Sequence, residues 1–323
     1  MKDTDYAYAV ARIRANERYL LSKSDIERLI CAKKLSEALD VLKEHGWSVS
    51  GEKNEIENAI LNQQKALWNL LCECVPEKDS LSVLCVQNDF FNLKAVLKCM
   101  ITGKDASAFF VYPTTLDLEL LVSAFKMHNF ELLSGSIRET AEEAYNTACR
   151  TENGQSADII IDKAALKIFL SLSRKSDCEL LRQAAEYITA CADIKIAYRA
   201  AKTQKSLSFI KSALSGESDV DFEALSKSAA KGTAALSEFL KKTSYSKESA
   251  LLEKSSAAFE KGVDDRVIEL MKKAKYVFFG FEPVAAYYYA KTAELKTVRA
   301  VLFAKQAGIG EEAIRERVRE LYV

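Results

Sequence analysis

Helix breakers are scarce in this sequence, and so are the residues on which many catalytic sites depend. The 323 residues include 11 glycines and 3 prolines, both well below average usage. So few breakers over such a length favour helices throughout the chain. The two histidines, His45 and His128, are too few for an HExxH motif or a multi-histidine metal site, and they show no pattern of a histidine-based triad.

An excess of charge of one sign and long apolar runs are also missing. Lysine and arginine total 46, and aspartate and glutamate total 46. The chain therefore has no net charge that would attract nucleic acid or an anionic membrane. No uncharged apolar run reaches the ~18 residues that a membrane-spanning helix needs. We expect no nucleic-acid partner, and we expect membrane association only through another protein.

The cysteines do not follow a pattern typical of metal or disulfide sites. The CxC pair Cys72 and Cys74 has no second pair at zinc spacing. Because no signal peptide is recognisable, we expect a reducing compartment in which the thiols are free and buried as small apolar side chains. The eight residues are Cys31, Cys72, Cys74, Cys85, Cys99, Cys149, Cys178 and Cys191.

What the sequence does contain is an internal repeat. Its signatures are Asn92-Leu93-Lys94, Asp193-Ile194-Lys195 and Thr297-Val298-Arg299. From Lys94 to Lys195 is 101 residues, and from Lys195 to Arg299 is 104. Recurrence at a nearly fixed period indicates one structural unit used several times, and the chain is too long for one ordinary core. The sequence predicts an all-α protein of three similar tandem helical domains, at residues 1–107, 108–214 and 215–323.

Local signals support the helical prediction. Two aromatic runs, at residues 109–112 and 276–279, have no hairpin partner and are interpreted as buried helix ends or tight connections. A polar loop at residues 50–54 recurs at residues 151–155. Three stretches have Ser followed three residues later by Glu, the spacing of a capping box at a helix start; they are residues 24–27, 136–139 and 176–179.

Two acidic pairs are the remaining candidates for a metal site. Asp264-Asp265 and Asp219-Val220-Asp221 have the carboxylates that Mg²⁺ prefers, but no second acidic cluster accompanies them. We interpret both as N-terminal helix caps and expect no cofactor. An all-α Mg²⁺ enzyme is the alternative, and it predicts a deep polar pocket containing Asp264 and Asp265.

Charged and aromatic residues on otherwise apolar helices are the candidate interaction residues. A solvated, salt-bridged face is the simpler explanation for any one of them. Because basic residues recur in all three repeats, we expect a common face that suits a partner rich in carboxylates or helix C-termini. The candidates are Arg12, Arg14, Lys94, Lys195, Arg199, Arg299, Glu282 and Tyr287.

Several segments resemble the C/d subunit family of V-type and archaeal A-type rotary ATPases, and together they extend from one end of the chain to the other. The sequence has Asp193 where asparagine is more usual, and Gln204 where the first repeat has Gly103. The segments that carry the resemblance are Tyr6 to Ala15, Asp89-Phe90-Phe91-Asn92-Leu93-Lys94, Gly280-Phe281-Glu282-Pro283, and Ile314 to Val323.

This resemblance implies a funnel of three helical domains around a pseudo-threefold axis, at the cytoplasmic face of the membrane. Such a protein sits on the membrane rotor ring, receives the central stalk in its cavity and transmits torque, so that H⁺ or Na⁺ crosses the membrane. It has no active site, is present in one copy per complex and is a monomer when isolated. A general helical protein-interaction scaffold is the alternative.

The same resemblance gives the candidate residues two roles. The basic residues Arg12, Arg14, Lys94, Lys195 and Arg299 are expected to face the cavity. Glu282 and Tyr287 are expected to hold the last helices together or to contact the ring.

Overall fold

The structure is a computed structural model that describes residues 3–49, 55–151 and 154–323. This part of the chain contains helices and their connections and no strand, which confirms the all-α prediction. Of the predicted polar loops, residues 50–54 and 152–153 lie outside the described residues. None of the described helices is long and apolar enough to cross a membrane.

The α-helices vary in length from a single turn to 25 residues. In chain order they are α1 (Ala7–Glu17), α2 (Lys23–Cys31), α3 (Leu35–Glu44), α4 (Glu55–Cys74), α5 (Ser82–Thr102), α6 (Leu118–Met127), α7 (Gly135–Thr151), α8 (Gly154–Lys175), α9 (Glu179–Lys202), α10 (Leu207–Ala213), α11 (Phe222–Ala230), α12 (Thr233–Leu240), α13 (Ser246–Lys254), α14 (Ser256–Met271), α15 (Glu282–Gln306) and α16 (Glu311–Arg315).

The chain divides into two compact units, each assembled from separate segments. The terminal unit comprises Met1–Lys78, Asp177–Ala184 and Lys247–Val323, and the central unit comprises Asp79–Ser176 and Ala185–Ser246. The division into three domains stays a prediction.

Helix α15 is enclosed by the other helices of the terminal unit. Sixteen of its 25 residues are buried, a pattern typical of a helix surrounded by neighbours. Two of the buried residues are charged: Lys291 Nζ donates to Glu294 Oε1 at 2.5 Å, and Glu294 Oε2 accepts the N–H of Leu21 at 2.7 Å. The ammonium also lies 5.2 Å from the centre of the Trp47 ring, so the buried pair is satisfied on both sides.

In the central unit, α5 packs against α6 and α8, and α7 packs against α8. The buried Asp89 on α5 holds the connection that leads to α6. It accepts the N–H of Thr115 at 2.9 Å and the hydroxyl of the same residue at 2.6 Å, and it also accepts the hydroxyl of Thr114. A buried carboxylate with three donors is satisfied, so it stabilises the structure locally.

The long helix of each predicted repeat ends in the same way. Nine positions after each signature basic residue, the backbone enters the left-handed region: φ is 66° at Gly103, 50° at Gln204 and 68° at Gly308. In each repeat the next N–H donates to the carbonyl five positions earlier, at 2.9, 3.0 and 2.9 Å. This is the Schellman ending of a helix. The periodicity read from the sequence is therefore present in the backbone.

Candidate protein interface

The polar residue of each signature, two positions before the basic one, is buried and holds the chain that follows the helix. Asn92 donates from its amide to the carbonyl of Val111 at 3.0 Å, and its side-chain oxygen accepts the Val111 N–H at 2.8 Å. Asp193 accepts the N–H and the hydroxyl of Ser215 at 2.8 and 2.6 Å, and the hydroxyl of Ser218 at 2.8 Å. Both side chains act within the protein, because buried polar groups need partners there.

The third repeat uses the same position with one weaker hydrogen bond. Thr297 is fully buried, and its hydroxyl oxygen accepts the N–H of Arg319 at 3.4 Å. The sequence reasoning concentrated on the basic residue and missed this structural role. A polar residue recurring at a buried helical position was the signal that could have revealed it.

The basic residues of the signatures have different surroundings. Lys94 forms an ion pair with Asp162, and its side chain is 18% exposed. Lys195 is half-buried, whereas Arg299 is exposed and forms no ion pair with the residues that the structure describes. Of these residues, Arg299 is the most available for contact with another protein, because Lys94 is already engaged in an ion pair within the chain.

Two predicted site residues line a groove of about 270 Å³ in the central unit. Lys195 and Arg199, one turn apart on α9, line it together with Asp162, the partner of Lys94. Apolar side chains form most of the remaining lining, and Phe91, also a lining residue, is 49% exposed. An apolar groove with basic groups suits an apolar side chain that stands beside carboxylates. The lining residues are Gln87, Phe90, Phe91, Asp162, Ala165, Leu166, Ala192, Lys195, Ile196 and Arg199.

Arg12 and Arg14 lie on α1 but have different roles. Arg12 is exposed, and its guanidinium is 3.9 Å from the carboxylate of Glu73. Arg14 is half-buried, and its Nη2 donates to the carbonyl of Ala274 at 2.6 Å and to that of Val277 at 2.9 Å. Arg14 therefore holds the connection that precedes α15.

That connection displays an aromatic turn, which we define as residues 276–279. Tyr276, Phe278 and Phe279 expose 82%, 72% and 51% of their surface. The run is a tight connection, which is one of the two interpretations made from the sequence, and the alternative of a buried helix end is wrong because its rings are exposed. In the other run Phe109 is also exposed, at the end of a 3₁₀ turn.

Glu282 and Tyr287 lie in the first two turns of α15. Tyr287 is 6% exposed. Burial raises the pKa of its hydroxyl above the ordinary value, and the carboxylates of Glu294 and Glu17 raise it further. This burial favours the role of holding helices together over that of an external contact. Glu282 stands at the helix N-terminus, where the helix dipole favours a carboxylate.

The acidic pair on α14 does not cap a helix. Asp264 lies in the helix interior and accepts from Lys296 Nζ at 2.8 Å and from Arg319 Nε at 2.6 Å, and Asp265 is also paired with a lysine. The helix-cap interpretation is wrong for this pair, whereas Asp221 does cap α11. No group of three potential metal ligands occurs among the described residues.

None of the eight cysteines forms a disulfide bond. The expectation that they are buried is wrong for Cys31 and Cys149, which are exposed, while Cys72 is half-buried. The pKa of the Cys178 thiol is raised to about 12, mainly by burial and to a smaller extent by the carboxylate of Glu282. This thiol is therefore protonated at neutral pH.

Comparison with known proteins places this all-helical repeat chain in a family. Residues 9–317 match the family described as ATP synthase (C/AC39) subunit. The C subunit of the V-type sodium ATPase of Enterococcus hirae is 23% identical over 318 residues, which cover 96% of this chain and 97% of that protein. The chain therefore belongs to the ATP synthase (C/AC39) subunit family, which confirms the resemblance seen in the sequence.

Proposed function

We propose that this chain is the non-catalytic rotor adapter of a V-type or A-type rotary ATPase. It joins the central stalk to the membrane rotor ring and transmits torque between them while H⁺ or Na⁺ is transported. One copy is present in each complex, at the cytoplasmic face of the membrane, and the ring provides its only attachment to the membrane. The observation that carries the proposal is the family match, which extends over nearly the whole chain.

The structure supports this proposal through the kinds of surface that it presents. Lys195 and Arg199 line an apolar groove, and Arg299 is exposed on α15. Exposed basic groups beside apolar surface suit an acidic protein partner, and they set its orientation and association rate. The buried polar residues of the three signatures, Asn92, Asp193 and Thr297, form hydrogen bonds within the fold, as expected for a rigid mechanical part.

The proposal is tested by isolating the chain with its natural partners. The full-length chain is tagged in its native host, the membranes are solubilised gently, and the co-purifying proteins are identified. We expect the ATPase head, the stalk and the rotor ring. Removing the chain from the complex should uncouple ATP hydrolysis from ion transport, and adding it back should restore coupling.

Two results would contradict the proposal. One is recovery of the chain alone or with unrelated soluble proteins, which would favour the general scaffold. The other is a complex that keeps its coupled ion transport after the chain has been removed quantitatively.

A further inference from the structure

The aromatic turn is held in a fixed conformation before any partner binds. On one side, Arg14 donates to the carbonyl of Val277. On the other, Gly280 has φ 86° and the buried Phe281 packs edge-on against Tyr6, with ring centres 5.9 Å apart. Because the backbone is held at both ends, the backbone of the turn loses little conformational entropy on binding.

Clustered exposed aromatic rings are a feature of binding surfaces. Aromatic side chains are enriched in the buried centres of protein interfaces and contribute much of the binding energy there. A contiguous apolar patch on a soluble surface therefore marks a contact site more strongly than scattered apolar residues do. The turn has three such rings within four residues.

The exposed charges beside the turn are basic. Lys273 and Lys275 are exposed, whereas Glu282, the first acidic residue after the turn, is half-buried at the start of α15. A third lysine, Lys272, is paired with Glu320. The complementary partner is therefore a protein surface with an apolar pocket and carboxylates around its edge.

The turn also lies far from the basic candidate on the same helix. Glu282, which follows the turn, and Arg299 are 17 residues apart on α15, roughly 25 Å at the rise of an α-helix. An adapter between two bodies needs two separate surfaces. Helix α15 provides one candidate near each end.

We propose that the aromatic turn is the ring-docking surface of this chain, and that it inserts into apolar pockets edged by carboxylates on the membrane rotor ring. This inference rests on the proposed function, and it assigns the interface with the ring to residues that were not among the interface candidates predicted from the sequence. Arg14 acts in it as a positioning residue, since it touches the turn and not the partner.

The test uses the full-length chain and native membranes from which the chain has been stripped. Binding of the double variant F278S/F279S to the ring-containing membranes should be at least about tenfold weaker, as for central aromatic residues of an interface. Binding of the same variant to the isolated central stalk should stay unchanged. The matched control is F109S, which removes an exposed aromatic ring from the central unit.

A second variant tests the charge. K273E should weaken binding to the ring severalfold at low salt, and the difference should shrink as salt screens the pair. Lys273, Phe278 and Phe279 are all exposed, so unchanged thermal unfolding should confirm that the variants are folded.

Each possible result decides between this inference and its rivals. Unchanged ring binding by F278S/F279S overturns the inference, and so does loss of stalk binding alone. Equal, turn-dependent binding to protein-free lipid vesicles overturns it in favour of a lipid partner. Failure of the unsubstituted chain to bind either stalk or ring overturns the proposed function together with the inference.

Discussion

Asp193 accepts two hydrogen bonds from Ser215, one from the backbone N–H at 2.8 Å and one from the hydroxyl at 2.6 Å. At the corresponding position in the first repeat, Asn92 pairs with both the N–H and the carbonyl of Val111. A carboxylate has acceptors only, whereas an amide has a donor and an acceptor. The departure from asparagine at position 193 therefore follows from its partners, because Asp193 faces donors alone.

This relationship predicts that aspartate is poorly tolerated at position 92. In Asn92→Asp, a carboxylate oxygen replaces the amide NH₂ and faces the carbonyl of Val111. We expect a loss of about 2 kcal/mol in the free energy of unfolding at pH 7. Because the repulsion raises the folded-state pKa of the new carboxyl, the loss should shrink as the pH falls through that pKa and the protonated group donates. Urea unfolding at pH 7 and pH 5 measures both effects.

The control for this experiment is the reverse change in the second repeat. Asp193→Asn should cost about 1 kcal/mol, because the hydroxyls of Ser215 and Ser218 can rotate to accept from the amide. Its cost should not decrease at pH 5 as that of Asn92→Asp does. An Asn92→Asp penalty that is the same at both pH values would contradict the assignment.

The left-handed residue that ends each repeat helix gives a second prediction. Gln204 has φ 50°, a conformation that costs a residue with a Cβ about 1–2 kcal/mol. Gln204→Gly should therefore stabilise the protein by about 0.5–1 kcal/mol after the extra freedom of glycine in the unfolded chain is subtracted. Chemical denaturation measures the difference.

The opposite substitutions serve as matched controls. A Cβ at Gly103 or Gly308 meets no atom within 4 Å, so any cost of Gly103→Ala or Gly308→Ala comes from the backbone alone. Each should destabilise the protein by about 1 kcal/mol. If Gln204→Ala stabilised as much as Gln204→Gly, the backbone explanation would be wrong.

A third prediction concerns pH and the segment that follows α16. The hydrogen bond from Lys272 Nζ, at 2.5 Å, is the largest cause of the lowered pKa of Glu320, and Lys23 adds to it. A carboxyl whose pKa is lowered in the folded state stabilises the protein at pH values above its ordinary pKa. This contribution is lost as the pH falls through the pKa of the folded state.

The variant Glu320→Gln isolates this contribution. It should be less stable than the natural protein by about 1 kcal/mol at pH 7, and the difference should disappear as the pH is lowered from about 5 to about 3. Glu269→Gln, which removes an exposed carboxylate paired with Arg266, is the control and should change stability less. A difference for Glu320→Gln that does not vary with pH would show that the ion pair is not its source.

The sequence predicted the helices and the repeat better than the helix starts. The first capping box forms at Ser22 and Asp25, two residues before the predicted one. Residues 136–139 lie inside α7, which begins at Gly135, and α9 begins at Glu179, where the Cys178 sulfur accepts the N–H of Leu181. Several polar residues near a helix start can each cap it, and tertiary packing decides which one does.

Only part of the candidate site could be predicted from the sequence, because tertiary contacts determine the rest. Basic residues recur in the sequence, but the recurrence does not reveal that Arg14 binds backbone carbonyls or that Lys94 pairs with Asp162. Those contacts join residues up to 263 positions apart, and local patterns contain no information about them. The exposed aromatic turn was missed because an aromatic run in a sequence usually indicates burial.

The remaining prediction concerns two exposed basic residues that we expect to contact the central stalk. Arg199 lines the groove of the central unit, and Arg299 is exposed in the terminal unit. Arg199→Glu and Arg299→Glu should each weaken binding to the isolated central stalk by about tenfold at low salt, mainly through slower association. Because these charges are exposed, the difference should shrink at high salt. Surface plasmon resonance at two salt concentrations measures both rates.

The controls are charge reversals of the same size elsewhere on each unit. Lys242→Glu in the central unit and Lys254→Glu in the terminal unit change the net charge equally, at exposed lysines outside the groove. If all four variants weakened stalk binding alike, the effect would come from net charge and not from a contact. If only Arg199→Glu had an effect, the stalk contact would be restricted to the groove, and the three-repeat basic face would have to be abandoned.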